Sequence, residues 1–130
     1  MLDKQKKKEL AADYTQTFRL MGVYQIRNVK NNKVLVAGTM DLDGARNRFE
    51  FCQQTRLNTT HEIQRDWLTY GADSFVFEEL DRIQPREDVM VDASELRNYR
   101  SEVDALLELW LEKLQPYDEA GYNRRKHNKT

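Results

Sequence analysis

"GVYQIRNVKNNKVLVAG" (residues 22–38) reads as two short strands joined by a tight turn. In its first half Val23, Gln25 and Arg27 alternate with Tyr24, Ile26 and Asn28, the period of two that a strand presents to its two faces. "KNNK" (30–33) supplies asparagines, which tolerate a left-handed backbone and can bond to their own main chain. "KVLVA" (33–37) is rich in β-branched residues and is expected to return antiparallel. A lone hairpin is barely stable in water, so one edge has to pair with a further strand.

"SFVFEEL" (74–80) supplies a candidate, with Phe75 and Phe77 on one side. Between hairpin and third strand, Asp41 or Asp43 can cap a helix running to about Thr55, with Ala45, Phe49 and Cys52 inward. A second helix fits "TTHEIQRDWLTYG" (59–71): Thr59 and Glu62 have capping-box spacing, Ile63 and Trp67 share a face, and Gly71 stands at the stop. After a loop around Pro85, "SELRNYRSEVDALLELWLEKLQ" (94–115) carries Leu96, Tyr99, Val103, Leu107, Trp110 and Leu114 as a helical stripe, with Ser94 as cap and Pro116 as terminator. Residues 3–18 read as one more helix, through Leu10, Ala11, Tyr14 and Phe18. The order predicts an α/β fold: a small three-stranded, mainly antiparallel sheet flanked by helices. The expected division is an N-terminal helix over 1–21, one domain over 22–123 and a basic tail over 124–130.

The chain has 130 residues, a third of them charged, and a net charge of −1. One cysteine, Cys52, precludes an internal disulfide and fits a reducing compartment. Its neighbours Phe49 and Phe51 suggest a thiol at least half buried. The polar start "MLDKQKKKEL" does not read as a signal peptide, and no apolar run suits a membrane, so a cytoplasmic protein is expected. The charge is uneven. Residues 1–72 hold 12 basic and 8 acidic side chains, residues 73–119 hold 5 and 14, and residues 120–130 hold 4 and none. A phosphate-binding surface would therefore use the first part and the tail, with the acidic middle repelling nucleic acid. "KQKKK" (4–8) and "RRKHNK" (124–129) read equally as solvated termini.

With "GVY" (22–24) opening the hairpin, "EIQRDWLTYGADSFVFEEL" (62–80) following it and "GYN" (121–123) closing, the chain resembles the GIY-YIG nuclease family over most of its length. The resemblance implies phosphodiester hydrolysis with one divalent metal. A helical glutamate would hold the metal, a strand tyrosine would position or deprotonate water, and a helical arginine would stabilise the transition state. The closing asparagine would order the site. Tyr24 and Asn123 match that pattern. In the gap-free register the second tripeptide falls on Leu35, Val36 and Ala37, the arginine on Ala45, the histidine on Phe49 and the metal glutamate on Leu107. A rival register, slipped by one residue through a bulge after the turn, restores Gly38 and Arg46 but leaves Val36 for the tyrosine and Glu50 for the histidine; Glu108 then stands one residue from the expected carboxylate and Asp104 three.

The resemblance thus implies a nuclease-fold domain short of its catalytic set, acting as a nucleic-acid-binding or interaction module without a cofactor. The alternative it implies is an endonuclease dependent on Mg²⁺ or Mn²⁺, with Tyr24, Arg46 and Asn123 catalytic and Glu108 on the metal. Arg27, Arg48, Arg124 and Arg125 are the candidate nucleic-acid contacts. The partner is expected to be DNA or a protein rather than a membrane. Each residue also has a plainer reading: Tyr24 as a half-buried strand aromatic, Arg46 and Arg48 as surface ion partners, Asn123 as a turn residue, and Asp104, Glu108 and Glu112 as a solvated ridge.

Overall fold

The computed structural model describes residues 20–55, 61–84 and 93–124. Strands β1 (Met21–Asn28), β2 (Val34–Thr39) and β3 (Phe75–Ile83) form one antiparallel sheet in the order β2-β1-β3. The helices are α1 (Leu42–Thr55), α2 (His61–Tyr70) and α3 (Ala93–Leu114), and a 3₁₀ turn over Ala72–Ser74 leads into β3. The expected N-terminal helix, the Thr59 cap, the Pro85 loop and the tail residues Arg125 and His127 lie outside the described residues.

The asparagines account for the hairpin turn. Asn32 takes the left-handed conformation, with φ of 63°. The Asn28 side-chain oxygen accepts the Lys30 N–H at 2.9 Å, and that of Asn31 accepts the Lys33 N–H at 3.0 Å. With local partners for these main-chain groups, the chain reverses within a few residues. The ladder then runs without a slip from Arg27↔Val34 to Gly22↔Thr39. The hairpin therefore contains no bulge, and the slipped register loses the irregularity it needs. A bulge lies on the other side of β1: Tyr24 faces Glu79 and Val23 faces Asp81, so Leu80 is an additional residue on β3. Here the Asp81 carbonyl approaches Gly22 so closely that a Cβ on residue 22 would strike it. The glycine of "GVY" thus admits the bulge.

Alternation assigns the two faces. Ile26, Leu35 and Phe75 lie on one, with Phe49 of α1 and Ile63 and Trp67 of α2 packed over them. α3 crosses the other, where Tyr99 and Val103 join Met21, Met40 and Ile83. Cys52 is half-buried against the first cluster, as expected, whereas Phe51 is exposed.

The element boundaries need small corrections. β1 starts at Met21, inside the stretch assigned to the N-terminal helix, and β3 extends to Ile83. α3 already includes Ser94, so that residue sits in the first turn rather than before it. Leu96 is 47 % exposed, because packing onto the sheet begins about one turn later, at Tyr99. Asp41 is the cap of α1, its carboxylate accepting the Gly44 N–H at 3.0 Å.

Past Pro116 the chain returns to β2. Gly121 makes a parallel bridge with Val34, and the Tyr122 N–H donates to the Val34 carbonyl at 2.8 Å. A Cβ at Gly121 would collide with the Pro116 and Val34 carbonyls, so the approach requires glycine. Asn123 continues the pairing with its side chain. Its Oδ1 accepts the Val36 N–H and its Nδ2 donates to the Val36 carbonyl, both at 2.8 Å.

Candidate functional site

Tyr24 lies on the α1 side of the sheet. Its ring stacks on Phe77 with centroids 4.7 Å apart, and the Arg46 guanidinium sits 5.3 Å from the Phe77 centroid. Arg46 and Tyr24 thus share one aromatic neighbour. Burial pushes the Tyr24 phenol above its ordinary pKa, and the charge of Arg48 draws it partly back. At neutral pH the hydroxyl keeps its proton and can donate a hydrogen bond.

Directly across the ladder from Tyr24 stands Glu79. Arg82 grips its carboxylate with two bonds, Nε to Oε1 at 2.6 Å and Nη2 to Oε2 at 3.0 Å. Arg46 Nη2 stands 3.9 Å from Oε2. The bulge makes this cluster. Strict alternation would put residues 79 and 82 on opposite faces; the additional Leu80 brings them to the same one and turns Asp81 over, where it accepts the Trp110 indole N–H at 3.2 Å.

The positions that the resemblance assigns to chemistry are filled by packing. Leu35, opposite Ile26, is a core residue, as are Ala45 and Phe49, whose ring meets Trp67 edge-on. Leu107 lies on β2, its atoms 3.6–3.7 Å from where a Cβ on Gly38 would be. Glu108 follows on the exposed side of α3, turned by about 100°. Asp104 and Glu112 are exposed as well. The Leu107 side chain seated on the sheet is a hydrocarbon and offers no metal ligand, and among the described residues no three His, Cys, Asp or Glu side chains come together.

The remaining candidates are dispersed. Arg27 is on the α3 side, bonded through Nε to Glu78 Oε1 at 2.8 Å; Gln25 donates to the same oxygen at 3.0 Å. This pairing raises the Arg27 pKa and lowers that of Glu78. Arg48 is exposed on α1, and Arg124 is exposed just past the Asn123 clip. Tyr122 joins a second network: its hydroxyl donates to Asp66 at 2.6 Å and accepts from the buried Asn28 at 3.2 Å. A cleft between the end of β3 and the start of α3 is lined by Gln84, Glu95, Asn98 and Glu102, acidic and polar groups that do not suit an anion.

The slipped register set Arg46 in a site with Tyr24, the gap-free register set Ala45 there, and neither pointed to Glu79 or Arg82. No local signal reveals them as a pair, because only the bulge puts them on one face.

No protein-family model and no curated protein matches the chain. Among solved structures, it is similar to the catalytic domain of the homing endonuclease I-TevI, with a TM-score of 0.56 and 24% identity over 82% of this chain and 99% of that one. A mutant of the same domain gives a TM-score of 0.51 at 24% identity, covering 80% and 92%. The three antiparallel strands and flanking helices are the GIY-YIG nuclease fold.

Proposed function

We propose that this chain is a nucleic-acid-binding domain built on the nuclease fold and lacking the groups for cleavage. One observation carries the reading: Leu107, which the gap-free register matches to the metal-binding glutamate, is a hydrocarbon packed against Gly38 of β2. Ala45 in the core, in place of an arginine, supports it. The exposed side chains of Arg46 and Arg48 beside Tyr24 support a surface that grips phosphates. The Tyr24 hydroxyl, protonated at neutral pH, adds a neutral donor.

The second reading is an endonuclease using Tyr24, Arg46 and Glu108. It is favoured by the position of Arg46 over Phe77, in the stack that holds Tyr24. One experiment separates the two. Fluorescently labelled single- and double-stranded DNA is titrated at several salt concentrations, with and without Mg²⁺ or Mn²⁺, and the DNA is then run on a denaturing gel. Binding that weakens steeply with salt while the strands stay intact is the expected result. Metal-dependent cleavage that vanishes in Glu108→Ala would establish the enzyme instead. Absence of binding, or salt-insensitive binding, would point to a protein partner.

A further inference from the structure

We propose that Glu79 is a built-in competitor for phosphate, which holds the arginines beside Tyr24 until a nucleic-acid backbone displaces it. The inference rests on the binding function above and concerns the regulation of that same surface. Three observations carry it. Glu79 is the residue across the ladder from Tyr24, so its carboxylate projects from the same face. Arg82 holds it in a two-pronged grip, the geometry in which a guanidinium also takes a phosphate. Arg46, the arginine over the Tyr24–Phe77 stack, turns an Nη to the same carboxylate, at 3.9 Å.

The carboxylate side chain is only 21% exposed, while those of Arg46 and Arg82 are 44% and 55% exposed. The anion is therefore sheltered and its partners are open to solvent. A phosphate approaching from outside meets both arginines first, but their charge is already partly neutralised. Displacement requires no backbone movement, because Arg82 can leave Glu79 by side-chain rotation. A carboxylate in this position also disfavours weak, indiscriminate contacts: a lone phosphate gains little by exchanging with it, and a ligand with several phosphates gains more.

The test compares Glu79→Gln with Glu62→Gln, a change of the same charge at an exposed position in the first turn of α2. Circular dichroism checks that each variant folds. In the DNA titration, Glu79→Gln is expected to bind several-fold tighter than the parent at low salt, with a salt dependence steeper by about one to two released ions. Glu62→Gln should match the parent. Where the parent binds DNA, equal or weaker binding by Glu79→Gln overturns the proposal, as does equal tightening in Glu62→Gln. A second measurement needs no nucleic acid. Inorganic pyrophosphate is titrated while the arginine Nε–H signals are followed by NMR. Larger shifts at Arg46 and Arg82 in Glu79→Gln than in the parent support the competitor even if DNA does not bind; equal shifts, or none, overturn it. Failure of DNA binding with a positive pyrophosphate result would reject the nucleic-acid function and retain the anion competitor.

Discussion

Replacing Asn123 with alanine separates a structural clip from a reacting group. The side chain makes two hydrogen bonds, both 2.8 Å, to the N–H and carbonyl of Val36, a residue only 2% exposed. Alanine removes both and leaves two main-chain groups on the β2 edge without these partners. A typical net hydrogen bond contributes about 0.5–1.5 kcal/mol, so the pair gives a loss of about 1–3 kcal/mol. For a chain of 130 residues each kcal/mol corresponds to about 4 °C in Tm. Urea denaturation should show a lower midpoint with unchanged slope, and hydrogen exchange should show faster loss of the Val36 amide. Asn123→Asp sharpens the test. One carboxylate oxygen can still accept the Val36 N–H, but the other faces the Val36 carbonyl and repels it unless protonated. The folded state then raises the carboxyl pKa above its unfolded value. The recovered stability is full below the unfolded pKa and is lost as pH rises through the folded one. Stability of Asn123→Ala within about 0.5 kcal/mol of the parent, the range of a neutral surface change, together with unchanged exchange at Val36, would refute the clip.

Three further outcomes are expected. Gly22→Ala places a Cβ against the Asp81 carbonyl at a φ of 156°, so it should reduce stability by about 2 kcal/mol or more, read by thermal denaturation; a Tm matching the parent would contradict the bulge geometry. Tyr122→Phe leaves Asn28 Nδ2 buried without its phenol partner, a cost of about 1–3 kcal/mol. The Tyr122 pKa is pushed up to about 12 by burial and by Asp66, so the stabilisation from the protonated phenol is full below about pH 10, its ordinary value, and is lost as pH rises through about 12. Denaturation of the parent and Tyr122→Phe at pH 9 and 11 should show the gap between them narrowing. Arg46→Ala and Arg48→Ala should weaken DNA binding and flatten its salt dependence by about one ion each, whereas Arg27→Ala, on the other face, should do so less in the same anisotropy titration.

The hairpin was legible because its determinants are local. Asparagines bond their own main chain, and a strict alternation of side chains fixes which residues share a face. The helices followed from spacing, and Asp41 and Gly71 mark ends that chemistry near them dictates. The contact between β1 and β3 joins residues far apart in the chain, from Asn28↔Phe75 to Met21↔Ile83, and its bulge at Leu80 has no signature in the neighbouring residues. That single additional residue decides that Glu79 and Arg82 meet and that Asp81 reaches Trp110. The candidate site was therefore readable where it depended on the hairpin and α1, and hidden where it depended on β3. Leu96 shows the same limit on a helix: spacing identified the stripe, but not where along the helix the sheet begins to cover it.

The return of residues 120–123 to β2 also bears on how the chain is made. Until Gly121 and Asn123 have been synthesised, the outer edge of β2 presents the Val34 and Val36 main-chain groups to whatever strand is nearby. That partner closes a loop of almost ninety residues, so it arrives late and from far along the chain. A nascent or prematurely ended chain would carry an adhesive strand next to the apolar side chains of Leu35 and Val36. By pairing with the Val34 and Val36 main chain, residues 120–123 cover an edge to which another strand could otherwise add.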